Sequence, residues 1–251
     1  MKKFLWFIVP IILVLVLWEI ISHSGFVSAA LFPPPSKVAV ALWGMITSGT
    51  LFSDLRDSLW RLVVGLFLGS IFGVIAGLLT GRKKMFENIF TPIIQILRPL
   101  PPVAIIPLVI VWFGIDDGAK IFSIAFAVFF PVWLNTYIGV GRIAKEFLWS
   151  AKLLTKSSLK VFHKVILPSA LPFIIAGIRT SIAIAFVMVF VSELSGASSG
   201  LGYRISISSL SYRIDEMIAA LIVLGTFGAI TDKLFVVGTN KIFPWIKFST
   251  K

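Results

Sequence analysis

Arg98, Asn135, Arg179 and Glu193 interrupt otherwise apolar stretches of this 251-residue chain, and Gln95 and Pro101 flank the first of them. A guanidinium in such a setting is a fixed cation whose planar fork of donors matches a carboxylate, a sulfonate or nitrate. A cationic lining of this kind favours recognition of a small anion. Both arginines also lie within reach of the ends of their stretches, where a long side chain can snorkel to the membrane surface. Asn135 and Glu193 need partners in an apolar medium, and a helix–helix hydrogen bond supplies one as readily as a ligand does.

Other chemistries lack their residues. There is no cysteine, and the two histidines, His23 and His163, have no metal-ligand spacing, so no metal site is expected. A Gly-x-x-x-x-Gly-Lys-Ser/Thr phosphate loop is absent, and so is any carboxylate cluster or nucleophile–base pair, which leaves no basis for an enzyme that binds a nucleotide or cofactor. The net charge of +12 comes without a nucleic-acid recognition motif and sits mostly beside apolar runs, as expected for contact with anionic lipid.

The elements that must position these residues are membrane helices. With 58% hydrophobic and 14% charged residues and a mean hydropathy of +1.01, the chain has too little polar surface to cover a soluble globule. Residues 4–21, 59–79, 121–140, 173–191 and 217–237 are each about the length a bilayer requires, and 89–113 is a sixth stretch broken by Pro92, Pro99, Pro101, Pro102 and Pro107. Six crossings put both termini on one side. Taking that side as cytoplasmic places fifteen of the 23 basic residues inside: Lys2, Lys3, Arg82, Lys83, Lys84, six between Arg142 and Lys164, Lys233, Lys241, Lys247 and Lys251. The first stretch also resembles a signal peptide, but its apolar run exceeds the usual length for one and reads as a retained helix. The chain divides into an N-terminal membrane helix (1–30), an extracytoplasmic amphipathic segment (31–58) whose helix Ser36 is expected to cap, a core (59–240) and a cytoplasmic tail (241–251).

Gly65, Gly69, Gly73 and Gly77 recur every four residues and predict a smooth packing face, inside one subunit or between two. Residues 192–203, small and glycine-rich, read as a loop, either a gate or an ordinary connection. In the proline-broken stretch, backbone without helical partners must lie against protein or a water-filled path, which makes Gln95, Arg98 and Pro101 path candidates beside Asn135, Arg179 and Glu193. The segment 142–172 is a soluble-looking insert. Lys145, Lys152, Lys156, Lys160 and Lys164 fall on one helical stripe beside an apolar stripe of Phe147, Leu148, Ala151 and Leu154, suited to anionic lipid or to a partner's groove. Ser157 and Ser158 offer a cap for a second helix over 159–166, which Pro168 is expected to end.

Here the chain resembles the cytoplasmic coupling loop of ABC importer permeases, in the branch that carries nitrate, taurine, aliphatic sulfonates and related compounds. The resemblance rests on Lys145-Glu146-Phe147-Leu148-Trp149-Ser150-Ala151-Lys152-Leu153-Leu154 and on Leu167-Pro168-Ser169-Ala170-Leu171-Pro172. It extends to Leu97-Arg98-Pro99-Leu100-Pro101-Pro102, Trp112-Phe113-Gly114-Ile115, Phe130-Pro131-Val132-Trp133-Leu134-Asn135 and Ser199-Gly200-Leu201-Gly202-Tyr203. Where the family usually has Glu-Ala-Ala this chain has Trp149-Ser150-Ala151, and Thr155 replaces the turn glycine.

The resemblance implies an all-α type I (MetI-like) permease of about six membrane helices in the inner membrane. It further implies a homodimer that works with two ATPase subunits, which bind ATP and magnesium, and with an extracytoplasmic solute-binding protein. Contact with the ATPase would fall to Lys145, Glu146, Phe147, Trp149, Ala151, Leu154, Thr155, Leu167 and Pro168. Nitrate, bicarbonate, taurine or an alkanesulfonate is the expected cargo class, with a pyrimidine or a riboflavin-type precursor as the alternative. An autonomous channel or secondary transporter would instead show internal repeats or an acidic relay.

Overall fold

A computed structural model describes residues 2–25 and 27–246, with side chains from Val9 onward. Lys2, Lys3, Lys247 and Lys251, assigned above to one side of the membrane, have side chains outside that description. The described residues form helices joined by connecting segments, without a strand: α1 (Lys2–His23), α2 (Pro35–Thr47), α3 (Thr50–Arg82), α4 (Lys84–Leu97), α5 (Ile106–Phe113), α6 (Asp117–Gly141), α7 (Lys145–Leu154), α8 (Ser158–Val161), α9 (Leu167–Leu194), α10 (Leu201–Leu210) and α11 (Ile214–Ile242).

The glycine stripe organises the core. A Cβ on Gly65 would lie 2.6 Å from Cβ of Ile124, one on Gly69 2.8 Å from Cβ of Val128 and 2.5 Å from the Ala125 carbonyl, one on Gly73 2.9 Å from Cβ of Val132 and one on Gly77 2.5 Å from Cβ of Thr136; Gly81 continues the row against Val140. Both sets of numbers rise together in steps of four, so α3 and α6 run parallel in near backbone contact. The stripe therefore packs within one chain. Against the other face of α6, Gly139 meets Phe173 and Gly177 meets Asn135, which makes α9 antiparallel to it. Leu62, Ile124, Val128, Val132, Ile182, Ala185, Met188 and Val189 fill the space between the three helices.

These directions gather the starts of α3 and α6 and the end of α9 at one end of the bundle, and put the 142–166 loop at the other. α3, α6, α11 and the continuous helix Ser158–Leu194 are long and apolar enough to cross a bilayer, and α1 contributes the shorter apolar helix Val9–His23. The 89–113 stretch is not one straight span. α4 and the segment Pro102–Phe113 meet at 87°, because Pro99, Pro101 and Pro102 remove three successive opportunities for helical donors. Pro92 inside α4 and Pro107 in the first turn of α5 are tolerated.

Three local expectations are corrected. Pro168 does not end a helix: the backbone widens into a π-turn over Phe162–Ile166, absorbs the clash and the lost donor, and continues as α9. Ser36 does not cap α2, which begins at Pro35 after Pro34; instead the Glu19 carboxylate of α1 accepts from the Ser36 amide at 3.1 Å and from its Oγ at 2.8 Å. α3 opens at Thr50, ahead of the apolar stretch at 59, and its polar first turns face α10. Around this end α2, α10 and α11 share a second core of Val38, Met45, Leu201, Ile205, Ala219 and Ala220.

Candidate functional site

Three polar places on this apolar bundle differ in burial. At the end shared by α3, α6 and α9, Arg61 is almost fully buried and donates from Nη1 to Oε1 of Glu193 at 2.7 Å, from Nε to Oδ1 of Asp117 at 2.7 Å, and to the Ser199 carbonyl at 2.7 Å. Glu193 also accepts from Ser58 Oγ at 2.9 Å and from the Gly202 amide at 2.8 Å. Asp54 accepts from the Gly200 amide at 3.1 Å and from Arg204 Nε at 2.8 Å, while Ser58 accepts from the Leu201 amide at 2.8 Å. The first amides of α10 are thus capped by side chains of α3 and α9. Gly200 has φ +114° and its Cβ position lies 2.5 Å from the Glu193 carboxylate, a combination only glycine accepts.

The segment 192–203, expected to be a loop throughout, is therefore loop only from Ser195 to Gly200, and it is tightly tied. Glu193 finds the helix–helix partners anticipated for it and faces no open path. Arg61, Ser58, Asp54, Asp117 and Arg204 escaped the sequence reading, because charges flanking a span look like ordinary surface charges. The available signal was their mixed sign: Asp54, Arg61, Asp117, Lys120, Glu193 and Arg204 all fall at the same ends of predicted spans.

The second place lies midway along the bundle. Arg179 makes a bidentate pair with Asp232 of α11, Nε to Oδ1 at 2.9 Å and Nη2 to Oδ2 at 3.0 Å. Its neighbours fix the depth: Gly177 packs on Val132, which faces Gly73, and Ser181 donates to the Val128 carbonyl at 3.4 Å. Arg179 is thus level with Gly69–Gly73, within the apolar part of α3, and it pairs at that depth rather than snorkelling. Both partners remain partly open, with side chains 33% and 41% exposed, at one end of a crevice of about 430 Å³ between α9 and α11. Its walls include Ile182, Phe186, Phe190, Leu221 and Leu224. A charge at the centre of a bilayer costs roughly 2.5–3.5 kcal/mol on insertion scales, so this face belongs against protein or water rather than lipid.

The remaining path candidates do not converge on it. Asn135 is half-buried, donates to the Pro131 carbonyl at 2.8 Å and packs on Gly177. Gln95, Arg98 and Pro101 are exposed on the bent α4–α5 pair; the Arg98 amide donates to the Ile94 carbonyl at 2.8 Å and closes α4, and its guanidinium has no hydrogen bond or ion pair among the described residues.

The third place is the loop at the opposite end. α7 carries Lys145 and Glu146 in its first turn, and the expected apolar stripe splits: Leu148 and Ala151 turn inward onto Val161, Ile166 and Ala170, whereas Phe147 and Leu154 point outward with Trp149, Leu153 and Leu159. Trp149 is 61% exposed and Leu154 88%. Thr155 closes the helix in extended geometry and its Oγ1 accepts from the Ser157 amide at 3.2 Å; Ser157 in turn caps α8, accepting from Lys160 at 3.4 Å. Leu167 packs into the loop's core and Pro168 stands exposed in the first turn of α9. Arg82, at the end of α3, ties the loop to the bundle by donating to the Ser158 carbonyl at 3.2 Å and by lying over the Phe162 ring at 5.3 Å.

A helical bundle with this projecting loop matches known proteins. The sequence pattern of the binding-protein-dependent transport system inner membrane component family fits residues 65–238. The chain belongs to that family. It is 36% identical over 232 residues to the putative aliphatic sulfonates transport permease protein SsuC of Bacillus subtilis (strain 168), covering 92% of this chain and 84% of that protein. The SsuC protein of Escherichia coli (strain K12) is 34% identical, with 90% and 86% covered, and the taurine transport system permease protein TauC of the same strain 29%, with 92% and 86% covered. Among solved structures, an amino acid ABC transporter superposes with a TM-score of 0.65 at 18% identity, over 80% of this chain and 98% of that one, and the inward-facing MetNI methionine ABC transporter with the same score at 16%. The fold is that of type I ABC importer permeases. The chain is the multi-pass membrane permease subunit of an ABC importer; it works with a binding protein and with separate ATPase subunits, to which ATP hydrolysis falls.

Proposed function

We propose that this permease forms a homodimer that imports small organic anions of the sulfonate class, with both termini and the 142–166 loop in the cytoplasm. The excess of basic residues at the loop end of the bundle supports the orientation. The observation that carries the coupling role is the cluster of outward apolar side chains on the loop, Phe147, Trp149, Leu153, Leu154 and Leu159, which are mostly exposed and find no covering surface among the described residues. Such a patch beside charged residues fits a groove on another protein. In this reading Lys145, Glu146, Phe147, Trp149, Leu154 and Thr155 meet the ATPase, Ala151, Leu167 and Pro168 shape the loop from behind, and Lys152, Lys156, Lys160 and Lys164, which the break between α7 and α8 divides, lie toward the anionic lipid surface. ATP and magnesium bind the ATPase, and this chain holds no cofactor.

The cargo class draws support from the relatives named for aliphatic sulfonates and taurine. Gln95, Arg98 and Pro101 would line the path where the bent pair of one subunit faces the other, with Asn135 and Arg179 further along. Purified permease, its ATPase and its binding protein in liposomes should take up an alkanesulfonate and taurine on addition of ATP, and should not take up an uncharged pyrimidine. ATP-driven pyrimidine uptake without sulfonate uptake would overturn the cargo assignment.

A further inference from the structure

The Arg179–Asp232 pair borders open space, with both side chains partly exposed at one end of the crevice between α9 and α11. We propose that the crevice between α9 and α11 is a binding site for the anionic headgroup of the cargo, received by Arg179, with Asp232 as the positioning residue that holds the guanidinium. This rests on the reading of the chain as an importer of small organic anions. A guanidinium offers five N–H donors, and Asp232 takes two of them along the Nε–Nη2 edge. The end-on edge, Nη1 with the second hydrogen of Nη2, is left for a further oxyanion, which a sulfonate or carboxylate meets with two parallel hydrogen bonds.

The crevice matches the rest of such a molecule. Ile182, Phe186, Leu221 and Leu224 give apolar walls for a short alkyl chain, and a volume of about 430 Å³ falls within the range of small-molecule sites. Asp232 cancels most of the arginine's charge, so an anion is held weakly, as a site that must release its cargo requires. A phospholipid is the poorer occupant. Its phosphate lies at the membrane surface, whereas the pair lies halfway across the bundle.

Because the chain contains no cysteine, Ala183→Cys places a single reactive thiol in the wall of the crevice. The complex carrying it, in phosphatidylcholine liposomes, is labelled with a polar maleimide, with hexanesulfonate or hexyltrimethylammonium present. Hexanesulfonate should slow labelling and the cation should not. Adding Arg179→Lys, which keeps the charge and loses the fork, should raise the protecting concentration about 10- to 100-fold, the range of charge-assisted hydrogen bonds. Adding Asp232→Asn should lower it about tenfold, which keeps the test open if the lysine variant does not assemble. Equal protection by both ions, none by either, or protection indifferent to Arg179 and Asp232 would overturn the site. So would a block that appears only on adding phosphatidylglycerol and ignores hexanesulfonate, since a lipid would then occupy the crevice. Hexanesulfonate uptake measured in the same liposomes separates the two readings: uptake without protection defeats the site, and protection without uptake defeats the importer assignment.

Discussion

Replacing Glu193 by alanine removes the carboxylate that compensates Arg61 inside the bundle. Arg61 is 3% exposed and keeps its hydrogen bonds to Ser199, but its remaining counter-charge is Asp117, whose side chain is 51% exposed and shared with solvent. The Ser58 hydroxyl and the Gly202 amide lose their acceptor as well. Breaking a buried pair from one side costs about 3–5 kcal/mol, because a charge is left without its partner. For a chain of this size each kcal/mol corresponds to about 2–4 °C, so the midpoint of thermal unfolding should fall by roughly 6–20 °C. The eight tryptophans allow the transition to be followed by intrinsic fluorescence in nanodiscs. Asp117→Asn, at the exposed end of the cluster, should cost less than about 1 kcal/mol. Removing both charges together, Arg61→Met with Glu193→Met, should recover most of the loss, since an apolar pair of similar volume often matches a buried ion pair. Equal shifts for Glu193→Ala and Asp117→Asn, or a double variant no more stable than the single one, would refute the argument that an uncompensated charge sets the cost.

Two further perturbations separate packing from partner contact. Gly69→Leu must push α6 away at the Ala125 carbonyl and should destabilise by about 1–3 kcal/mol in the same melt, whereas Gly44→Ala, with nothing within 4 Å, should be neutral or slightly stabilising. Trp149→Ala should leave the melt of the permease within about 0.5 kcal/mol, because its side chain is mostly exposed, yet weaken ATPase association measured by co-purification or titration by roughly 5- to 30-fold.

Hydropathy and glycine spacing made most of this architecture legible. Each apolar stretch has a helical counterpart, and the four-residue glycine period named the face that meets α6. What the sequence hid depended on distance along the chain. Asp232 passes as one more residue of an apolar helix until Arg179, on another span, is seen to take it. Asp54, Ser58 and Arg61 read as interfacial polar residues because their partners, Gly200 to Arg204 and Glu193, lie more than 130 positions later. Pro168 misled for a local reason: a missing donor usually ends a helix, but a π-turn just before it lets the helix pass. The outward turn of Phe147 and Leu154 likewise depends on which face of α7 the loop's own core claims.

The uninterrupted helix from Ser158 to Leu194 has a mechanical consequence. At about 1.5 Å per residue its 37 residues span roughly 55 Å, joining the loop proposed to meet the ATPase to the Glu193 cluster along one continuous helix. A tilt of about 5° about one end carries the other through about 5 Å by that length, well beyond the 2.7 Å reach of the Arg61–Glu193 contact. Any such stroke must therefore either part that contact or drag α3, and with it α6, along the same arc.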